Sequence, residues 1–138
     1  MQPHVRVILF WFPALLWAGV IFYSSSLTPE EHRLSLPFLH ADKIVHAIVF
    51  GILSLLLWFA IWKTSMMTLP ACILWAFSLA ALYGILDEVH QSFVPGRDAT
   101  FGDVLADIIG AILFLLLAPA LSRRFPRSSP WRKLEIPS

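Results

Sequence analysis

The residues of this chain that could do chemistry gather in three short segments beside strongly apolar runs. They are Asp42, Lys43, His46, Asp87, Glu88, Gln91, Arg97, Asp103 and Asp107. Ionisable side chains at the edge of a membrane are costly unless they pair with one another or take part in function. Their recurrence at the ends of three apolar runs therefore predicts a single polar cluster, which is the candidate functional site.

The composition of this cluster allows several kinds of chemistry. A carboxylate beside His46 could act as a general acid or base. Lys43 and Arg97 could instead bind a phosphate or carboxylate group. A divalent cation could balance the acidic surplus, but the spacing of the carboxylates has no metal-site specificity, so the sequence assigns neither a metal nor a cofactor. A salt-bridge and hydrogen-bond network that only holds the fold together is the simplest alternative.

Four apolar stretches must position these segments, and each comes close to the length of a transmembrane helix. They lie at residues 7–23, 44–62, 69–86 and 104–121. The chain of 138 residues is 58% hydrophobic and only 14% charged, too few charges for the outer face of a soluble domain. A transmembrane helix needs about 20 mostly apolar residues, and no alternating pattern points to a barrel. The sequence thus predicts an all-α integral membrane four-helix bundle over residues 1–121, followed by a basic flexible tail at 122–138.

The distribution of basic residues predicts the orientation of this bundle. One side carries Arg6, Lys63, Arg123, Arg124, Arg127, Arg132 and Lys133, and the other side carries Arg33, Lys43 and Arg97. The positive-inside rule then places both termini in the cytoplasm and the polar cluster on the outer face of the cell inner membrane. Expected partners are membrane lipids, with a cell-envelope precursor or another membrane protein as further candidates. A nucleic-acid partner is not expected, because the basic residues lie beside the membrane and carry no recognition motif.

Two connections and one cysteine give more local expectations. Pro95-Gly96 predicts a turn, and Arg97 after it is expected to fold back onto acids of the cluster. Thr28-Pro29-Glu30-Glu31 has the form of a helix start and predicts a short helix on the membrane surface. Cys72 is the single cysteine, which excludes an internal disulfide and a metal site built from cysteines.

The order of the cluster residues resembles the VanZ-like family over about residues 42–121. The matching pattern is Asp42-Lys43-x-x-His46-x-x-x-Phe50-x-x-Leu53, followed by Asp87-Glu88-x-x-Gln91-x-Phe93-x-Pro95-Gly96-Arg97 and Asp103-x-x-x-Asp107-x-x-Gly110. The chain departs from the pattern at Asp107, where many relatives have asparagine. The resemblance implies a small bacterial multi-pass membrane protein, and the founding members of the family are associated with resistance to the glycopeptide teicoplanin.

Three interpretations of function follow. The leading one is a VanZ-like membrane protein whose outward-facing polar site acts on or senses a cell-envelope component, with a link to glycopeptide tolerance. The alternatives are a structural or partner-binding membrane module without catalysis, and an envelope-modifying enzyme with a carboxylate–histidine site. Whether the protein is an enzyme stays open at this point. Within the cluster, the expected order of importance is Glu88, Asp87, Gln91, Arg97 and His46, then Asp103, then Asp107.

Overall fold

A computed structural model of the chain describes residues 3–28 and 41–127, and every regular element in these ranges is helical. The helices are α1 (Pro3–Ser25), α2 (Ala41–Thr64), α3 (Leu69–Gln91), α4 (Phe101–Leu115) and α5 (Ala118–Arg124). Four segments are long and apolar enough to cross a membrane, the fourth being α4 and α5 together. The predicted all-α membrane fold is confirmed. The surface helix predicted after Thr28 lies outside the described residues, as does the basic tail beyond residue 127.

The helices are longer than the apolar runs that predict them. α2 begins at Ala41 rather than at residue 44, and α3 ends at Gln91 rather than at residue 86. Continuing a helix into the polar residues keeps their backbone groups hydrogen-bonded at a depth where water is scarce. Polar residues at these two ends therefore sit on rigid helical turns, which fixes the direction of their side chains.

The fourth membrane segment consists of two helices, α4 and α5, which together form one candidate span from Phe101 to Arg124. α4 ends at Leu115, and Leu117 N–H donates to the Phe114 carbonyl at 3.0 Å in a tighter turn before α5 begins. Pro119 explains the interruption. A proline has no N–H for the helix ladder, and its ring clashes with the carbonyl four residues earlier, which here belongs to Leu115.

α2 is the central helix of the bundle and packs against α1, α3 and α4. Its closest approach to α4 depends on glycine: a Cβ on Gly110 would overlap the backbone of Ala47, and a Cβ on Gly51 would overlap the Phe114 ring. Small residues are what allow helices in membranes to pack at such short separations. This packing sets the register of α2 against α4 and so decides which polar residues at their ends can meet.

The end of the bundle opposite the polar cluster is closed by residues that follow α5. Arg127 Nε donates to the Trp62 carbonyl at 3.1 Å, and its guanidinium lies 3.7 Å from the centre of the Trp62 ring. Lys63 Nζ donates to the Pro126 carbonyl at 2.7 Å. Residues 125–127, which belong to the predicted basic tail, therefore contact the end of α2.

Candidate functional site

Three helix ends meet at one end of the bundle: the start of α2, the end of α3 and the start of α4. Lys43 Nζ lies 2.8 Å from Asp103 Oδ1, and His46 Nδ1 lies 3.0 Å from Asp107 Oδ1, so two contacts join α2 to α4. Glu88 Oε2, near the end of α3, accepts a hydrogen bond of 2.9 Å from the backbone N–H of Thr100. The three segments, which are far apart in sequence, thus form one polar region.

The centre of this region is the contact between His46 and Asp107. Asp107 is one of the most deeply buried side chains of the described residues, with only 1% of its surface exposed. Gly84 makes room for it on α3, because a Cβ there would lie 2.8 Å from Asp107 Oδ2. When Asp107 is ionised its carboxylate can only accept, so His46 Nδ1 then donates to it and the pairing orients the ring. The ring of Phe50 is nearly parallel to that of His46, with centroids 6.3 Å apart.

Glu88 completes a compact group with these two residues. It is 6% exposed, and one donor atom from each of His46, Glu88 and Asp107 lies within 4.8 Å of the others. Glu88 Oε1 and Asp107 Oδ2 are buried without a hydrogen-bond partner. Buried polar atoms are rarely left unpaired, since each carries a desolvation penalty that nothing offsets. This group, here termed the buried triad, therefore has unmet capacity to accept a hydrogen bond or bind a cation.

Lys43 and Asp103 form a separate pair at the edge of the polar region. Thr100 Oγ1 donates to Asp103 Oδ2 at 2.6 Å and accepts from the Asp103 backbone N–H at 3.2 Å, which caps the start of α4. Lys43 also approaches Asp42, whose exposed carboxylate lies 3.6 Å away. Asp42 is thus a peripheral member of the predicted cluster, and the positive charge of Lys43 is directed towards Asp103 rather than towards the buried triad.

Asp87 and Gln91 interact with each other on one face of α3. Gln91 Nε2 donates to Asp87 Oδ2 at 2.8 Å, and both side chains are buried. This is the contact that a spacing of four residues favours in a helix. Asp87 adjoins Glu88 in sequence but takes a different partner, which makes the two acids a natural pair for comparison.

Arg97 does not contact the acids of the cluster, and the prediction that it would fold back onto them is wrong. The expected turn is present, with Gly96 at a φ of 79° that favours glycine. Beyond it, Arg97 Nε donates to the Leu27 carbonyl at 3.1 Å and a terminal guanidinium nitrogen donates to the Ser24 carbonyl at 2.8 Å. Carbonyls at the end of a helix have no partner within that helix and carry partial negative charge, so they attract a cation.

A second contact beside Arg97 joins the end of α1 to α3. His90 Nε2 lies 2.9 Å from Ser26 Oγ, and the His90 ring stacks on Phe22 with centroids 4.6 Å apart. His90 lies within α3, so these two contacts join α3 to α1 and the residue that follows it. The only local signal for this contact is the hydroxyl residue that follows the last turn of α1.

Comparison with known proteins supports the resemblance seen in the sequence. A family model described as VanZ/LLP1 matches residues 10–122. The match covers well over half of the chain and includes most of the first membrane helix together with every residue of the predicted cluster. Comparison with curated proteins and with solved structures found no match.

Proposed function

This chain belongs to the VanZ/LLP1 family, and we propose that it binds a polar group of a cell-envelope component at the buried triad. The single observation that carries the proposal is the pair of buried carboxylate oxygens, Glu88 Oε1 and Asp107 Oδ2, that have no hydrogen-bond partner. Polar groups in a membrane domain are expensive unless something satisfies them. A ligand that hydrogen-bonds to these oxygens would offset their desolvation penalty, and this gain favours binding.

The position of the buried triad suits a ligand that lies at the membrane surface. It sits where α2 begins and α3 ends, one turn inside the exposed Asp42 and the partly exposed Lys43. The distribution of basic residues supports an outward orientation of this end, because most of them lie at the other end. An envelope component anchored in the outer leaflet would then carry its polar group at the level of the buried triad and could bind there.

A second candidate function is an enzyme that modifies such a component. The observation that favours it is the hydrogen bond of 3.0 Å between His46 Nδ1 and Asp107 Oδ1. A carboxylate in this position orients the imidazole and stabilises its protonated form, so the other ring nitrogen can accept a proton from a substrate. Among the described residues this nitrogen has no recorded hydrogen bond, and His46 retains part of its surface exposed.

The competing structural interpretation rests on the contacts that join the helices. The pair Lys43–Asp103 and the hydrogen bond from Thr100 to Glu88 would tie α2 and α3 to the start of α4 whether or not a ligand binds. A purely structural network predicts that neutralising its members lowers membrane abundance. A binding site predicts that ligand is lost while abundance is kept.

The test is to extract the wild-type protein with its surrounding lipid and identify copurifying lipids and envelope precursors by mass spectrometry. Glu88→Gln is compared with the matched control Asp87→Asn, an adjacent buried acid with a different partner. We expect a species enriched with the wild type and the control to be lost from Glu88→Gln at unchanged protein abundance. Equal retention by all three proteins would argue against the proposal, and loss of Glu88→Gln protein from the membrane would favour the structural network. For the enzyme candidate, His46→Gln should shift the copurified species towards unreacted substrate.

A further inference from the structure

We propose that the buried triad of His46, Glu88 and Asp107 binds a divalent transition-metal cation of the zinc class. The inference rests on the proposed function for the role of the ion at this site, but its evidence and its test concern the metal alone. Each ligand comes from a different helix, α2, α3 and α4 respectively, so the ion would join the three helix ends that form the polar region.

The spacing of the donor atoms suits a single ion. One donor atom from each of the three residues lies within 4.8 Å of the others. Zinc lies about 2.0–2.2 Å from nitrogen and oxygen ligands, so ligand atoms around it are roughly 3–4 Å apart. Donor atoms that already lie within 4.8 Å of one another need only small side-chain rotations to close on an ion.

The free oxygens of the two carboxylates are an independent observation. Glu88 Oε1 and Asp107 Oδ2 are buried and have no hydrogen-bond partner, although each side chain is at least nine-tenths buried. The other oxygen of each carboxylate is held, by the Thr100 N–H and by His46 Nδ1 respectively. The contact from Thr100 is of the kind that orients the carboxylates of metal sites and leaves the remaining oxygen for the ion.

A cation of two units would balance the charge of the buried triad in its ionised form. Two ionised carboxylates and a neutral imidazole together carry a charge of about −2, which is costly to bury in a membrane domain. Within residues 3–28 and 41–127, neither fixed cation of the cluster offsets it. Lys43 forms its ion pairs with Asp103 and Asp42, and Arg97 donates to the carbonyls of Ser24 and Leu27 at the end of α1 and just after it.

The donor types select the class of metal. Mg²⁺ and Ca²⁺ prefer oxygen ligands alone, whereas imidazole together with carboxylate suits Zn²⁺, Mn²⁺ and Fe²⁺. A thiolate site is excluded in this region, because Cys72 contacts Ser65 and Met67 at the opposite end of the bundle. Three protein ligands leave a coordination position open, as in catalytic rather than structural zinc sites. A phosphate or carboxylate oxygen of an envelope component could occupy that position.

The test uses the purified full chain, stripped with a chelator and titrated with Zn²⁺ alone, with bound metal measured by elemental mass spectrometry after desalting. We expect one ion per wild-type chain and an affinity at least about 100-fold weaker in Glu88→Gln and Asp107→Asn, more than loss of an outer contact usually causes. The matched controls Asp87→Asn and Asp42→Asn should bind like the wild type. Absence of stoichiometric binding by the wild type, or wild-type affinity in Glu88→Gln, would overturn the proposal.

X-ray absorption of the wild type loaded with Co²⁺ or Zn²⁺ keeps the proposal testable if those variants fail to fold. Nitrogen and oxygen ligation with one imidazole is expected, and ligation by sulfur or by water alone would refute the site. Failure of the cation and failure of the proposed function are distinguishable. Suppose that the wild type binds no metal but still retains an envelope component that Glu88→Gln loses. That result would overturn the metal-binding proposal and leave the proposed function standing.

Discussion

The contact between α2 and α4 at Gly110 offers a sharp test of how the fold builds the site. A Cβ at this position would overlap the Cα, carbonyl carbon and carbonyl oxygen of Ala47. These are backbone atoms of a helix, so no side chain can rotate away to make room. Gly110→Ala should therefore push the two helices apart by on the order of 1 Å, since packed elements absorb extra volume by shifting the backbone.

The expected loss of stability has two parts. Overpacking at a close contact costs about 1–3 kcal/mol. Ala47 directly follows His46, and Gly110 lies one turn beyond Asp107, so separation here acts on the hydrogen bond between His46 and Asp107. That bond is 3.0 Å long and would exceed the normal range after such a shift, with a further loss of about 0.5–1.5 kcal/mol. The sum predicts that Gly110→Ala lowers the free energy of unfolding by about 1.5–4.5 kcal/mol.

The matched control is Gly19→Ala on α1, where an added Cβ would meet nothing within 4 Å. Because alanine is the better helix former, this variant should be neutral or up to about 1 kcal/mol more stable. Both variants are unfolded reversibly in mixed detergent micelles, followed by circular dichroism, and both are then titrated with Zn²⁺. Gly110→Ala should lose stability and Zn²⁺ affinity together. Behaviour equal to that of Gly19→Ala in both assays would refute the close approach and the dependence of the site on it.

Two further predictions concern the polar end of the bundle. Arg97→Ala removes the guanidinium that donates to the carbonyls of Ser24 and Leu27, so amide hydrogen exchange around these two residues should become faster. The Zn²⁺ affinity should stay unchanged. Loss of Zn²⁺ binding with unchanged exchange would contradict the contacts described. With both termini in the cytoplasm, a membrane-impermeant maleimide should label Ser92→Cys in intact cells and label Arg124→Cys only after lysis; the opposite pattern would reverse the orientation.

The sequence alone determined the membrane character of the protein and the regions that carry its polar residues. Long apolar runs with few charges cannot form the surface of a soluble domain, so the number of membrane helices is readable from composition along the chain. The division of the fourth segment into α4 and α5 also has a local cause in the sequence, which is Pro119. Proline acts through its own ring and missing N–H, so this effect is local and needs no tertiary context.

Tertiary structure alone decided which polar residues of different helices became partners. The sequence favours Glu88 and ranks Asp107 last, whereas the fold buries Asp107 at the centre, against His46 and the space left by Gly84. That pairing depends on the register of α2 against α4, which is set by the close approach of Gly110 to Ala47 and not by any spacing within one helix. Arg97 likewise donates to the carbonyls of Ser24 and Leu27, at the end of α1 and just after it, which lie some 70 residues away in sequence. Helix packing determines which segments lie near each other. It therefore determines which of several equally charged residues lies close enough to become a partner.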